Sequence, residues 1–132
     1  MTKERNPKLK IAVVDDSDLS RRTVVEVLEK EGFDVVGQLN SAEAAIKFAA
    51  NNPATNLFLI DVVMPEVSGI ELAKHISDNT MDTFIVMMSS LGMENIVIES
   101  ISNGAVDFLE KPFSPVELLS SVEKIEKLLG QY

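Results

Sequence analysis

The chain has 132 residues, 45% of them hydrophobic and 25% charged, with a formal net charge of −9 and no cysteine; this fits one domain that buries a core without covalent staples. The missing cysteine excludes disulfides, thiol catalysis and thiolate metal sites, and the acidity argues against direct binding to a nucleic acid backbone. No apolar run approaches a membrane span, and the segment Lys10 to Val14 is too short for a signal core and runs straight into two aspartates.

Short apolar runs alternate with amphipathic segments. Residues 1–8 read as a loose arm. Leu9 to Val14 (LKIAVV) is a β-branched run expected to form a buried strand. Ser17 or Asp18 caps a helix with Val24, Val27 and Leu28 at helical spacing, closed by Gly32. Asp34 to Leu39 reads as a second strand. Ser41 caps an alanine-rich helix that Asn51-Asn52-Pro53 ends. Leu57 to Ile60 (LFLI), four apolar residues in succession, has the pattern of a central parallel strand covered on both faces. A third helix is expected over 67–78, a fourth strand from Thr83 to Met88, and a fourth helix over 93–102. A fifth strand follows from Val106 to Leu109. The last helix runs from Pro115 to Leu129 with a seam of Leu118, Val122, Ile125 and Leu129. Five strands alternating with five helices imply right-handed βαβ crossovers, a parallel sheet and helices on both faces. With the chain ending soon after the last helix, no output domain is expected within it.

In doubly wound sheets ligands bind at the carboxyl ends of the strands. The residues expected there are Asp15-Asp16 after the first strand, Asp61 after the third, Ser89-Ser90 after the fourth and Glu110-Lys111-Pro112 after the fifth. Carboxylates brought close together raise one another's pKa, and a cation relieves this. A donor set of oxygens, without Cys or His, points to Mg²⁺, with Mn²⁺ as a substitute, rather than zinc. An aspartate carboxylate can attack phosphorus to form an acyl phosphate, while a metal, a lysine and a hydroxyl stabilise the transferring group.

The segments VVDDSDLSRR (13–22), LIDVVMPEVSGIEL (59–72), IVMMSSLG (85–92) and NGAVDFLEKPF (103–113), in this order and spacing, resemble the receiver domains of two-component response regulators. The resemblance is strongest to chemotaxis-type, CheY-like regulators and covers about residues 9–130. It implies an α/β fold, a doubly wound five-stranded parallel sheet of strand order 2-1-3-4-5 with five helices. It also implies Asp61 as phosphoacceptor. Mg²⁺ would be held by Asp16 directly, Asp15 through water, Asp61 and the backbone carbonyl of Val63. Ser89 matches the family's switch hydroxyl, Phe108 the switch aromatic and Lys111 the phosphoryl-binding lysine, with a cis Lys111-Pro112 bond. Val63 and Leu91 match the positions that tune dephosphorylation, and both being apolar implies slow loss of phosphate. The implied partners are a histidine kinase and a downstream protein on the face of the fourth helix, fifth strand and fifth helix, a flagellar motor switch among the possibilities. The implied location is the cytoplasm. No turnover enzyme is expected, because an Asp-based phosphatase needs a second aspartate where Val63 stands. A phosphorelay intermediate or the receiver part of a transcription regulator are the alternatives.

Plainer readings compete. Asp15-Asp16 alone could favour the dipole of the following helix; Ser89 could be a loop hydroxyl, with Ser90 its rival; Lys111 alone could be a solvated lysine. His75, without a metal-ligand neighbour in sequence, reads as a surface residue. Met87 and Met88 read as core, and Met93 as exposed. Leu119 and Leu128 either widen the core stripe of the last helix or form a docking surface.

Overall fold

The computed structural model describes residues 4–90 and 94–130. In chain order the elements are β1 (Lys10–Val14), α1 (Asp18–Lys30), β2 (Asp34–Leu39), α2 (Ala42–Asn51), β3 (Leu57–Asp61), α3 (Gly69–Asn79), β4 (Phe84–Ser90), α4 (Glu94–Ser102), β5 (Asp107–Lys111) and α5 (Pro115–Leu129). The strands form one parallel sheet in the order β2-β1-β3-β4-β5. The switch point therefore lies between β1 and β3, whose connections leave toward opposite sides.

Strand alternation builds two cores. Ile11, Val13, Leu57, Leu59, Val86 and Met88 face α1 and α5, which contribute Val24, Val25 and Leu28, and Leu118, Val122 and Ile125. Ala12, Val14, Phe58, Ile60, Ile85 and Met87 face α2 and α3, which contribute Ala42, Ala45, Leu72, Ala73 and Ile76. All five residues of β3 are buried, as a strand covered on both faces requires. Met87 and Met88 are both core residues.

The helix starts follow from side-chain caps. Ser17, Ser41, Ser68 and Ser114 each accept a hydrogen bond from the amide three residues on. Ser114 completes a capping box with Glu117, with Pro115 in the first turn. Gly32 takes φ +86° just beyond α1, the left-handed conformation that ends a helix. Ser68 starts α3 at Gly69 rather than at residue 67. The last two strands run further than apolar character suggests: β4 includes Ser89 and Ser90, and β5 ends on Glu110 and Lys111. Ladder pairing of Ser89 with Glu110 and of Ser90 with Lys111 holds these polar residues in the sheet.

The segment ahead of β1, expected to be loose, is docked over residues 5–9. Arg5 reaches Glu31, Glu123 and Glu126, and the Leu9 amide donates to the Asn6 carbonyl at 3.1 Å.

Candidate phosphoryl and metal site

At the carboxyl edge of the sheet, three strands deliver charge to one place. Asp15 directly follows β1, anchored by the hydrogen bond its amide donates to the Leu39 carbonyl at 3.0 Å. Asp61 is the last residue of β3 and Lys111 the last of β5. Oxygens of Asp15, Asp16 and Asp61 all lie within 4.8 Å of one another. Asp15 and Asp61 are buried, whereas Asp16 is exposed. The Lys111-Pro112 bond is cis.

The bonding of each carboxylate differs. Asp15 Oδ1 accepts from the Ser17 amide at 2.9 Å, and Oδ2 accepts from Lys111 Nζ at 2.9 Å. Lys111 also donates to Ser20 Oγ at 3.0 Å and stands 3.7 Å from Asp61 Oδ2. Asp61 Oδ1 accepts from the Val63 amide at 3.3 Å. Arg21 braces the turn, donating to the Asp15 carbonyl at 2.7 Å and to Asp18 Oδ1 at 2.6 Å.

These contacts separate the two buried acids. Burial pushes the Asp61 carboxyl up to about 6, reinforced by the charge of Asp15 and opposed by Lys111. Burial also acts on Asp15. There the hydrogen bonds from Lys111, the Ser17 amide and Ser20 outweigh it and hold the carboxyl below its ordinary value. Asp15 is thus the ionised partner of Lys111, and Asp61 is the acid whose charged form burial disfavours and added positive charge would stabilise. An all-oxygen cluster of three carboxylates beside a single lysine fits Mg²⁺.

This has a consequence for stability. A carboxyl whose folded-state pKa is raised binds more protons in the native than in the unfolded chain, so its contribution is complete below pH about 3.8 and lost as pH rises through about 6. Asp15 and Asp107 have the opposite sign, contributing above the ordinary carboxylate value and losing that contribution in stronger acid. Asp61 therefore makes the metal-free protein lose about 1–3 kcal/mol between roughly pH 4 and pH 7. Saturating Mg²⁺ should flatten that slope. Chemical denaturation across this range, with chelator and with Mg²⁺, checks both statements.

Ser89 is fully buried and Ser90 exposed. Ser89 stands two residues beyond Met87 on β4, and Met87 pairs with Phe108 on β5. By alternation Ser89 and Phe108 share the sheet face toward α3, and Phe108 packs half-buried on that core. Val63 projects into solvent with 58% of its surface exposed. Leu91 and Met93 lie outside the described residues. His75 is exposed on α3. Leu119 packs against the core, whereas Leu128 is exposed.

Sequence reasoning did not single out Ser20, Arg21 or Gly69. Ser20 and Arg21 follow the acidic pair by one helical turn, which faces them back toward it; that spacing was the available signal. Gly69 is buried where α3 passes the end of β3, and its amide donates to the Val62 carbonyl at 2.8 Å.

The family model described as "Response regulator receiver domain" matches residues 11–123. The chain is 35% identical over 116 residues to the chemotaxis protein CheY of Bacillus subtilis, covering 87% of this chain and 95% of that protein. It is also 35% identical over 115 residues to the transcriptional regulatory protein SrrA of Staphylococcus aureus, covering 87% of this chain but 46% of SrrA. Among solved structures, a probable two-component response regulator/GGDEF domain protein superposes with TM-score 0.87 at 30% identity, covering 92% of this chain and 50% of that one. The CheX–CheY–BeF3–Mg²⁺ complex of Borrelia burgdorferi superposes with TM-score 0.82 at 26% identity, covering 89% of this chain and 88% of that one.

Proposed function

The chain belongs to the response regulator receiver domain family, and on that premise we propose that it is a phospho-accepting switch in which Asp61 takes the phosphoryl group. The observation that carries this reading is the convergence of three aspartate carboxylates within 4.8 Å, with Lys111 Nζ 3.7 Å from Asp61. Receiver domains are signalling modules that bind Mg²⁺ at an acidic cluster of this kind and interact with histidine kinases and downstream targets. Asp15, Asp16, Asp61 and the Val63 backbone carbonyl would hold the ion. When bound, Mg²⁺ supplies positive charge for the carboxylates and the phosphoryl oxygens.

The chain's own groups divide the remaining work. An Asp61 oxygen attacks phosphorus as the bond from phosphorus to the donor breaks, and the donor leaves with that electron pair. Lys111, held in place by Asp15 and Ser20, offsets the charge of the transferred group. Ser89 then bonds a phosphoryl oxygen, and Phe108, sharing its sheet face, repacks. Having no hydroxyl, the ring acts through packing alone. The face of α4, β5 and α5 thereby changes its affinity for a target. The receiver unit spans 9–130 with the segment 1–8 as an appended arm.

A chemotaxis role is supported by relatives such as the B. subtilis chemotaxis protein CheY, 95% of whose length this chain matches; a flagellar motor switch or another protein as target, and the cytoplasm as location, belong to the proposal. No helix among the described residues is long and apolar enough to cross a membrane. The SrrA match supports the alternative of a receiver that serves a transcriptional regulator. An Asp-based phosphatase is disfavoured because Val63 occupies the place of the required acid/base.

Incubation with a small acyl phosphate and Mg²⁺ should produce one acid-labile phosphate adduct by intact-mass measurement, and no adduct would refute the reading. The adduct should persist for minutes or longer in Mg²⁺. Val63 stands exposed two residues beyond Asp61 and offers no polar group to orient an attacking water. Decay within seconds would contradict this.

A further inference from the structure

At the end of the sheet opposite the aspartates, the Arg5 side chain is enclosed, with only 8% of its surface exposed. Its guanidinium carbon lies 3.9 Å from the centroid of the Phe33 ring. Nε donates to the Glu31 carbonyl at 2.9 Å, and Nη1 donates to Glu123 Oε2 at 3.1 Å and Glu126 Oε1 at 3.3 Å. Nη2 stands 3.6 Å from Glu31 Oε2, and the Asn6 amide adds a bond to Glu126 Oε2 at 3.0 Å. The walls come from three places: Glu31 caps the end of α1, Phe33 precedes β2, and Glu123 and Glu126 lie in the C-terminal half of α5. An aromatic floor with acceptors around its plane suits a planar donor fork, which arginine has and lysine lacks.

We infer that these residues form an arginine-binding cradle, filled in cis by Arg5, through which the segment before β1 latches the C-terminal half of α5 onto the corner between α1 and β2. None of its residues takes part in the proposed phosphoryl transfer. Withdrawing the guanidinium takes its positive charge from among Glu31, Glu123 and Glu126 and uncovers the Phe33 ring. The end of α5 should then loosen while the sheet stays intact. A tethered arm acts at an effective concentration in the millimolar range, so an untethered arginine must be supplied at that level or above to replace it.

Hydrogen exchange read by mass spectrometry on the full chain tests the cradle. In Arg5→Ala, amides of residues 122–130 should exchange about tenfold faster while β3 keeps its protection. Argininamide at about 50 mM should restore the protection and lysinamide should not. Arg5→Lys, which keeps the charge and loses the fork, should fall between the two. Unchanged exchange over 122–130, acceleration spread evenly over the chain, no rescue by argininamide, or equal rescue by lysinamide would each overturn the inference. Phosphate uptake by Asp61 reports separately on the proposed function, so failure of one reading leaves the other standing.

Discussion

Asp61→Asn is expected to reduce uptake of acid-labile phosphate from a small acyl phosphate by at least about two orders of magnitude in the presence of Mg²⁺. The three neighbouring acids are not equivalent. Both oxygens of Asp15 are engaged, one by the Ser17 amide and the other by Lys111, and the residue is fully buried. Asp16 is exposed and sits beyond the strand end. Asp61 pairs an oxygen 3.7 Å from the lysine with a carboxyl that resists staying charged without added positive charge. A phosphoryl donor and a metal would bring such charge compensation. An asparagine amide is neither anionic nor nucleophilic, so the substitution removes the proposed nucleophile while keeping the shape. The variant should also be no less stable than the parent in chelator at neutral pH, because a buried charge is lost. Asp16→Asn serves as the comparison: it should weaken the dependence on Mg²⁺ concentration and slow uptake without abolishing it. Undiminished uptake in Asp61→Asn would remove Asp61 from its assigned place.

Much of this arrangement was legible in the chain because strand ends are marked by abrupt changes of character. LFLI followed by Asp61 announces a buried strand delivering a carboxylate, and IAVV followed by Asp15-Asp16 does the same one strand over. The parallel order then brings the two ends together. The extents of β4 and β5 were less legible, because Ser89, Ser90, Glu110 and Lys111 are polar and only ladder pairing keeps them in strands. Arg5 left no trace at all. A single arginine in a short segment ahead of the first strand has no periodicity, and its cradle is assembled from Glu31, Phe33, Glu123 and Glu126, up to 121 positions away. Ser20 reads as an ordinary first-turn residue until Lys111 is placed beside it, 91 positions distant. Local patterning is thus a reliable guide to where chemistry is delivered. Side chains that brace it across the fold emerge only from the tertiary structure.

Gly69→Ala is expected to cost on the order of 3 kcal/mol or more and to damage the site as well as the fold. The glycine is required by close approach rather than by an unusual backbone angle. A Cβ built at this position would lie 2.1 Å from the Asp61 carbonyl oxygen and 2.8 Å from both the Asp61 carbonyl carbon and Val62 Cα. All three are backbone atoms, so no rotamer change can relieve the overlap. The chain segments cannot simply part either, because the Gly69 amide donates to the Val62 carbonyl at 2.8 Å and the Val62 amide donates to the Met88 carbonyl at 2.8 Å. Either the start of α3 moves out, losing the cap from Ser68 to the Glu71 amide, or the end of β3 moves and carries Asp61 with it. The second response alters the 3.7 Å separation from Lys111 on which the site's electrostatics rest. Gly130→Ala is the matched control, since its added Cβ would meet nothing nearer than 3.5 Å, and should change stability by no more than about 0.5 kcal/mol. Urea denaturation of both variants measures the cost. Phosphate uptake by Gly69→Ala, at a temperature where it remains folded, separates loss of fold from displacement of Asp61. A Gly69→Ala protein as stable and as readily phosphorylated as the Gly130→Ala control would show that the approach of α3 to β3 is looser than the structure describes.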